Sequence, residues 1–239
     1  AEFGEAGGFP IFFFHGYPSS RLEASALDAV AARLGARLIS TDRPGIGLSD
    51  FQAGRTTADW PADVAALADA LGLGRFAVLG GSGGAKYAAA CAALIPERLT
   101  AVGVYAVAAP LTAATAGPLR PALRLGWQAL GLADRAPWLA EAAALAQLGG
   151  LRLAPGRYLA LADGRLAPSD RALLGPSRGN AARLANLREA YRSGPRGVAW
   201  ELVLIARPWG FRLEEIPIRV HLWHGEADTV TPPAMGQHL

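Results

Sequence analysis

Two rhythms of apolar and polar positions alternate through the first half of the chain. Short continuous apolar runs fall at residues 11–15, 37–41, 76–80 and 100–106, the pattern of strands buried on both faces. Between them, residues 23–34, 58–71 and 85–94 carry apolar side chains at helical spacing. This alternation predicts an α/β fold: a doubly wound, mostly parallel sheet with helices on both faces. Asp59 reads as a cap for the second helix, with Pro61 in its first turn and Gly72 and Gly74 at its end.

The texture changes at about residue 109. Prolines and glycines break the chain into helical pieces at 119–130, 137–148, 180–191 and 198–206, and a strand returns only at 219–224. The expected organisation is a core of residues 1–108 and 212–239, interrupted by a helical cap of residues 109–211 over the carboxyl ends of the strands. Leu125, Trp127, Leu130, Trp138, Tyr158, Tyr191, Trp200 and Trp209 are its expected packing material. Residues 99–119 hold no charge and are long enough to span a bilayer. Gly103, Pro110, Gly117 and Pro118 interrupt them, so a central strand running into an apolar loop is expected, and no membrane association.

The chemistry gathers at strand ends. Gly80-Gly81-Ser82-Gly83-Gly84 joins a strand to a helix as G-x-S-x-G. A serine hydroxyl attacks only when a base removes its proton and donors stabilise the oxyanion formed. A tight turn lifts Ser82 out of the backbone and leaves the Gly83 N–H at a helix start as one such donor. His15-Gly16-Tyr17-Pro18 follows the first buried strand, where the Tyr17 N–H is placed to be the second donor and His15 to hold the loop around Gly16. Asp42-Arg43-Pro44-Gly45-Ile46-Gly47-Leu48-Ser49 reads as a tight loop stabilised by its own charges. After the last strand, His224-Gly225-Glu226-Ala227-Asp228 supplies Asp228 as a carboxylate for a catalytic histidine. Glu226 is its rival and is expected to face solvent, and Asp228 also reads as a plain turn residue before Thr231-Pro232.

Composition narrows the classes. With 239 residues, 51% hydrophobic and 18% charged, the chain suits one domain with an insertion and a large core. The formal charge of +3 comes almost wholly from scattered arginines, Lys86 being the lone lysine, so no nucleic-acid footprint is expected. Cys91 is the only cysteine, which excludes an internal disulfide and fits a buried thiol in a reducing, cytoplasmic setting. The histidines lack partners at metal-ligand spacing, and no phosphate loop is present, so neither metal nor cofactor is expected.

In order, the H-G-x-P loop, D-R-P-G-x-G-x-S, the G-x-S-x-G turn and H-G-x-x-D resemble the α/β-hydrolase family over nearly the whole chain outside the cap. The resemblance implies Ser82 as nucleophile, Asp228 as triad acid, and the Gly83 and Tyr17 amides as the oxyanion hole. Serine at 82 separates the chain from dehalogenase and epoxide-hydrolase branches, which use aspartate there. The insertion resembles lids of esterase, peroxidase-like and iminopeptidase branches. The implied activity is hydrolysis of an ester, less readily an amide, of a small apolar substrate through an acyl-enzyme. A non-catalytic small-ligand binder, a C–C hydrolase and a perhydrolase are the alternatives.

Two positions depart from the family pattern. Lys86 lies one helical turn after Ser82, to pair with a carboxylate or reach solvent. The family also places a helix and a strand, roughly 17 residues, between acid and histidine. His238 lies only ten residues after Asp228, and His221 and His224 read as packed strand histidines. The base is therefore expected beyond Leu239, Ala1-Glu2-Phe3-Gly4 reads as a strand fragment, and little ester turnover is expected of the 239-residue chain.

Overall fold

Among the described residues, six strands form one sheet in the order β1-β3-β2-β4-β5-β6. They are β1 (Glu2–Gly4), β2 (Phe9–Phe14), β3 (Ala36–Ser40), β4 (Phe76–Gly81), β5 (Leu99–Tyr105) and β6 (Val220–Trp223). The computed structural model describes residues 1–109, 132–133, 135–174 and 180–237. Every pairing is parallel except β1 on β3. The sheet is thus mostly parallel, and the expected strands sit within two residues of the observed ends.

The centre of the sheet explains the apolar runs. Phe12, Phe13 and Phe14 of β2 and Phe76 and Val78 of β4 are all buried, and Phe12 meets Phe76 edge-on at 4.7 Å. Three helices follow strands of this half: α1 (Asp28–Arg33), α2 (Trp60–Ala70) and α3 (Ala85–Leu94). In α3 the run from Ala85 to Ala92 is buried throughout. Its small side chains let the helix lie close against β4 and β5. The approach is closest at the turn, where a Cβ on Gly80 would come 2.5 Å from Gly84 O.

Local departures from the expected helices have local causes. The expected helix 23–34 begins instead as a 3-10 turn, Arg21–Leu27, before α1. Ser20 Oγ accepts the Leu22 N–H while its own N–H is held by Asn186 Oδ1 at 3.0 Å, which starts the turn early. Asp59 occupies the N-cap position of α2 but makes no cap bond, because its carboxylate accepts the Thr56 N–H at 2.7 Å.

Beyond β5 the described chain is helical: α4 (Pro137–Leu153), α5 (Pro155–Asp163), α6 (Pro168–Leu174), α7 (Asn180–Ala190) and α8 (Arg196–Ala206). The expected helix 119–130, with Leu125, Trp127 and Leu130, lies outside the described residues. Helix α4 continues past Gly149-Gly150 because Ala140, Ala144, Leu148 and Leu151 keep one buried face across the glycines. Trp138 lies on the opposite face and is 67% exposed, against the expectation that it packs. No helix among the described residues is long and apolar enough to cross a membrane. After β6 a short helix, α9 (Pro233–Gly236), ends the described chain.

Candidate active site

The loops after β2, β4 and β6 all leave the carboxyl edge of the sheet. Ser82 stands where β4 turns into α3, at a backbone φ of +50°. That left-handed conformation costs an L-residue about 1–2 kcal/mol and turns the side chain out of the strand. Ser82 Oγ makes no hydrogen bond to any described residue. Gly81 before it leaves room for the Tyr105 ring, which stands where a Cβ would be.

The oxyanion loop comes to this corner from β2. A Cβ built on Gly16 would be 3.6 Å from Ser82 Cβ, and one on Gly83 would be 3.6 Å from Tyr17 N. The structure therefore brings Ser82, Gly83, Gly16 and Tyr17 together. The loop is fastened from below and from the side. Arg43 donates to His15 O at 2.8 Å and to Gly16 O at 3.0 Å, and His15 Nδ1 donates to Gly16 O at 3.0 Å. Burial first, then the Arg43 guanidinium, holds the His15 imidazole well below its ordinary pKa, so it stays neutral. From the other side, the Gly16 N–H donates to Glu23 Oε2 at 2.9 Å.

Asp228 sits two strands along the sheet from Ser82, in the loop after β6. Its carboxylate accepts the Val230 N–H at 2.8 Å, the Thr231 N–H at 2.9 Å and the Thr231 hydroxyl. The His224 ring lies 3.5 Å from Asp228 Oδ2 and donates from Nε2 to Thr231 O. No hydrogen bond or ion pair joins Asp228 to Ser82 among the described residues. Glu226 is exposed. His224 is enclosed, but His221 is exposed and stacks on Trp223 at 6.1 Å, so the expectation that it packs is wrong. Strand β6 carries little cover over its middle, which leaves that ring outside. His238 lies outside the described residues, and no described histidine is bonded to Ser82. Among the described residues, no group of three or more histidine, cysteine or acidic side chains is arranged to hold a metal.

The family model described as alpha/beta hydrolase fold matches residues 10–239. The chain belongs to the α/β-hydrolase fold family. A hydrolase from Pseudomonas aeruginosa PA01 superposes with a TM-score of 0.67 at 21% identity, over 99% of this chain and 79% of that one. A thermophilic esterase from Thermogutta terrifontis gives 0.64 at 21% identity, over 100% and 78% of the two chains. The enol-lactonase from Burkholderia xenovorans LB400 gives 0.67 at 20% identity, over 99% and 81%. At such identities the likeness is one of fold. No curated protein matches the sequence.

Beneath the corner, this α/β-hydrolase-fold chain buries a cluster of charges. Glu201, from α8, is buried between Arg43, whose Nε lies 2.9 Å from Oε2, and Arg55, ion-paired at Oε1. The Tyr87 hydroxyl donates to the same Oε1 at 2.7 Å. Burial alone would raise the Glu201 carboxyl, but Arg43, Arg55 and Lys86 outweigh it and hold it well below the usual carboxylate range. Lys86 is 1% exposed, and its Nζ has no hydrogen-bond partner among the described residues. Burial brings its pKa down to about 7 despite the pull of Glu201, with Arg43 and Arg55 adding to the drop.

Glu23 and Glu201 escaped the sequence reading. Glu201 had a signal: it shares the helical phase of the apolar Val198 and Leu204, where a lone acid implies a buried partner. Glu23 had none, since its partner is a backbone amide seven residues back. Clefts of about 260 Å³ against Phe51 and Trp200, and of about 410 Å³ against Arg21 and Trp60, are not lined by Ser82 and lie apart from this chemistry.

Proposed function

We propose that the protein is a serine hydrolase that cleaves an ester of a small apolar substrate through an acyl-enzyme. Ser82 attacks the carbonyl, and the amides of Gly83 and Tyr17 stabilise the oxyanion. A histidine outside the described residues takes the proton, and Asp228 orients that histidine. The segment 109–211 acts as a lid that shapes the acyl site. The observation that carries this reading is the strained corner at Ser82, an unbonded hydroxyl with two separate amide-bearing loops converging beside it. Esterase and lactonase neighbours of the same fold agree with it.

The test is labelling by a fluorophosphonate probe, followed by peptide mapping and by p-nitrophenyl ester hydrolysis. Ser82 is expected to carry the label, and Ser82→Ala to lose both label and turnover. A full-length protein that neither labels nor hydrolyses sinks the proposal. That outcome favours a non-catalytic small-ligand binder, the reading supported by the lack of a described histidine bonded to Ser82. His238→Ala, assayed beside it, asks whether that residue is the base: it then removes turnover while leaving the fold intact.

A further inference from the structure

Outside the proposed triad, one carboxyl stands at the same corner. Glu23 lies in the 3-10 turn Arg21–Leu27, and its Oε2 accepts both the Gly16 N–H at 2.9 Å and the Ser19 hydroxyl. A Cβ on Gly16 would be 3.6 Å from Glu23 Oε2 and 3.6 Å from Ser82 Cβ, so the carboxyl and the serine flank the same glycine. Glu23 is itself braced. Asn186 Nδ2 donates to Ser19 Oγ at 2.9 Å, and Asn186 Oδ1 accepts from the Ser20 N–H at 3.0 Å and the Ser20 hydroxyl at 2.6 Å. Asn186 belongs to α7, so the chain of bonds runs from the helical segment through Ser19 and Glu23 to the amide of Gly16, the residue before Tyr17.

We infer that Glu23 is a positioning residue: by holding the Gly16 amide, and being held through Ser19 by Asn186, it aims the Tyr17 N–H at the place where the oxyanion forms. The inference rests on the function proposed above. Its physical basis is that two peptides meet at Gly16: Arg43 holds the carbonyl of each, His15 Nδ1 also holds the second, and Glu23 alone holds the Gly16 N–H between them. An amide donor to an oxyanion acts only when its direction is set in advance. Without the Glu23 anchor the Gly16 N–H loses its acceptor, and a glycine, with no Cβ to limit its dihedrals, can turn between the two held carbonyls and carry the Tyr17 N–H off line. Burial pushes the Glu23 carboxyl up against the pull of Ser19 and Gly16, and its bonds need only an acceptor oxygen, which glutamine also supplies.

The experiment compares wild type, Glu23→Ala, Glu23→Gln and Asn186→Ala, by amide hydrogen exchange over peptides containing Gly16 and by ester kinetics. Glu23→Ala is expected to open exchange at Gly16 and to lower kcat about 100-fold, the order of loss for a reacting group misplaced by about 1 Å. KM is expected to stay within about twofold, since ground-state binding is untouched. Glu23→Gln is expected to recover most of both losses, and Asn186→Ala to show a weaker form of the Ala effect. If Gly16 exchanges alike in wild type and Glu23→Ala, or if glutamine fails where alanine fails, the clamp is overturned. Opened exchange with unaltered kcat overturns its role in catalysis. A full-length wild type with no turnover and no label at Ser82 refutes the function proposed above, and the exchange data then judge the clamp alone. Should Glu23→Ala fail to fold, Asn186→Ala with unchanged exchange and kcat overturns the relay.

Discussion

Lys86 is the chain's lone lysine, and it is placed where a cation is least welcome, beside Arg43 and Arg55 with Glu201 already paired to both. Among the described residues its ammonium makes no hydrogen bond, and it lies over the face of the Tyr87 ring, 4.8 Å from the centroid. The pKa falls from an ordinary 10.5 to about 7, so on lowering the pH the unfolded chain takes up this proton before the folded one does. Stability attributable to Lys86 therefore declines as pH falls from 10.5 towards about 7, and the penalty is complete below that. Lys86→Met keeps the volume of the stem and removes the amine. It is expected to stabilise the fold by about 1–3 kcal/mol at pH 6 to 7, the cost of a buried unsatisfied group. The advantage should narrow as the pH rises towards 10.5 in parallel urea melts; equal stability throughout would show that the amine is not strained.

At the level of elements, the contact between the loop after β3 and helix α8 is backbone on backbone. A Cβ on Gly45 would come 2.7 Å from Gly197 Cα, and one on Gly197 would overlap the Gly45 carbonyl. Two glycines are needed because only bare backbone lets α8 come near enough for Glu201 to reach Arg43 and Arg55. Gly197→Ala is expected to push the helix outwards and cost about 1–3 kcal/mol, read as a lowered melting point. A variant that melts like wild type would mean that α8 has slack at this point. The same elements divide what the sequence made legible from what it hid. Strands β2, β4 and β5 were readable because a parallel strand covered on both faces has to be apolar throughout, and the turn at Ser82 because its glycines are spaced by steric need. The Arg43–Arg55–Glu201 cluster was hidden because its members lie up to 158 positions apart in the chain, from 43 to 201. No local periodicity records a pairing of that kind. Helix α1 was misjudged at its start for a similar reason: the tie from Ser20 to Asn186 spans 166 positions.

For the molecule as a whole, the helical segment and the sheet share more than a surface. Besides Glu201, Ser193 donates to Gly47 O at 2.8 Å, Trp200 donates to Arg55 O at 3.1 Å, and Arg21 bridges Asp42 and Glu189. Separating the two parts strips a buried anion from two buried cations, a loss of about 3–5 kcal/mol when one partner is removed. The expected outcome is a single cooperative transition: tryptophan fluorescence and far-UV circular dichroism should trace the same urea curve. Two displaced curves would refute it. Protein engineers who exchange helical segments among proteins of this fold meet the same constraint. A donor helix grafted here has to arrive with its own acid in the place of Glu201, or the recipient must first lose the positive charge at 43 and 55.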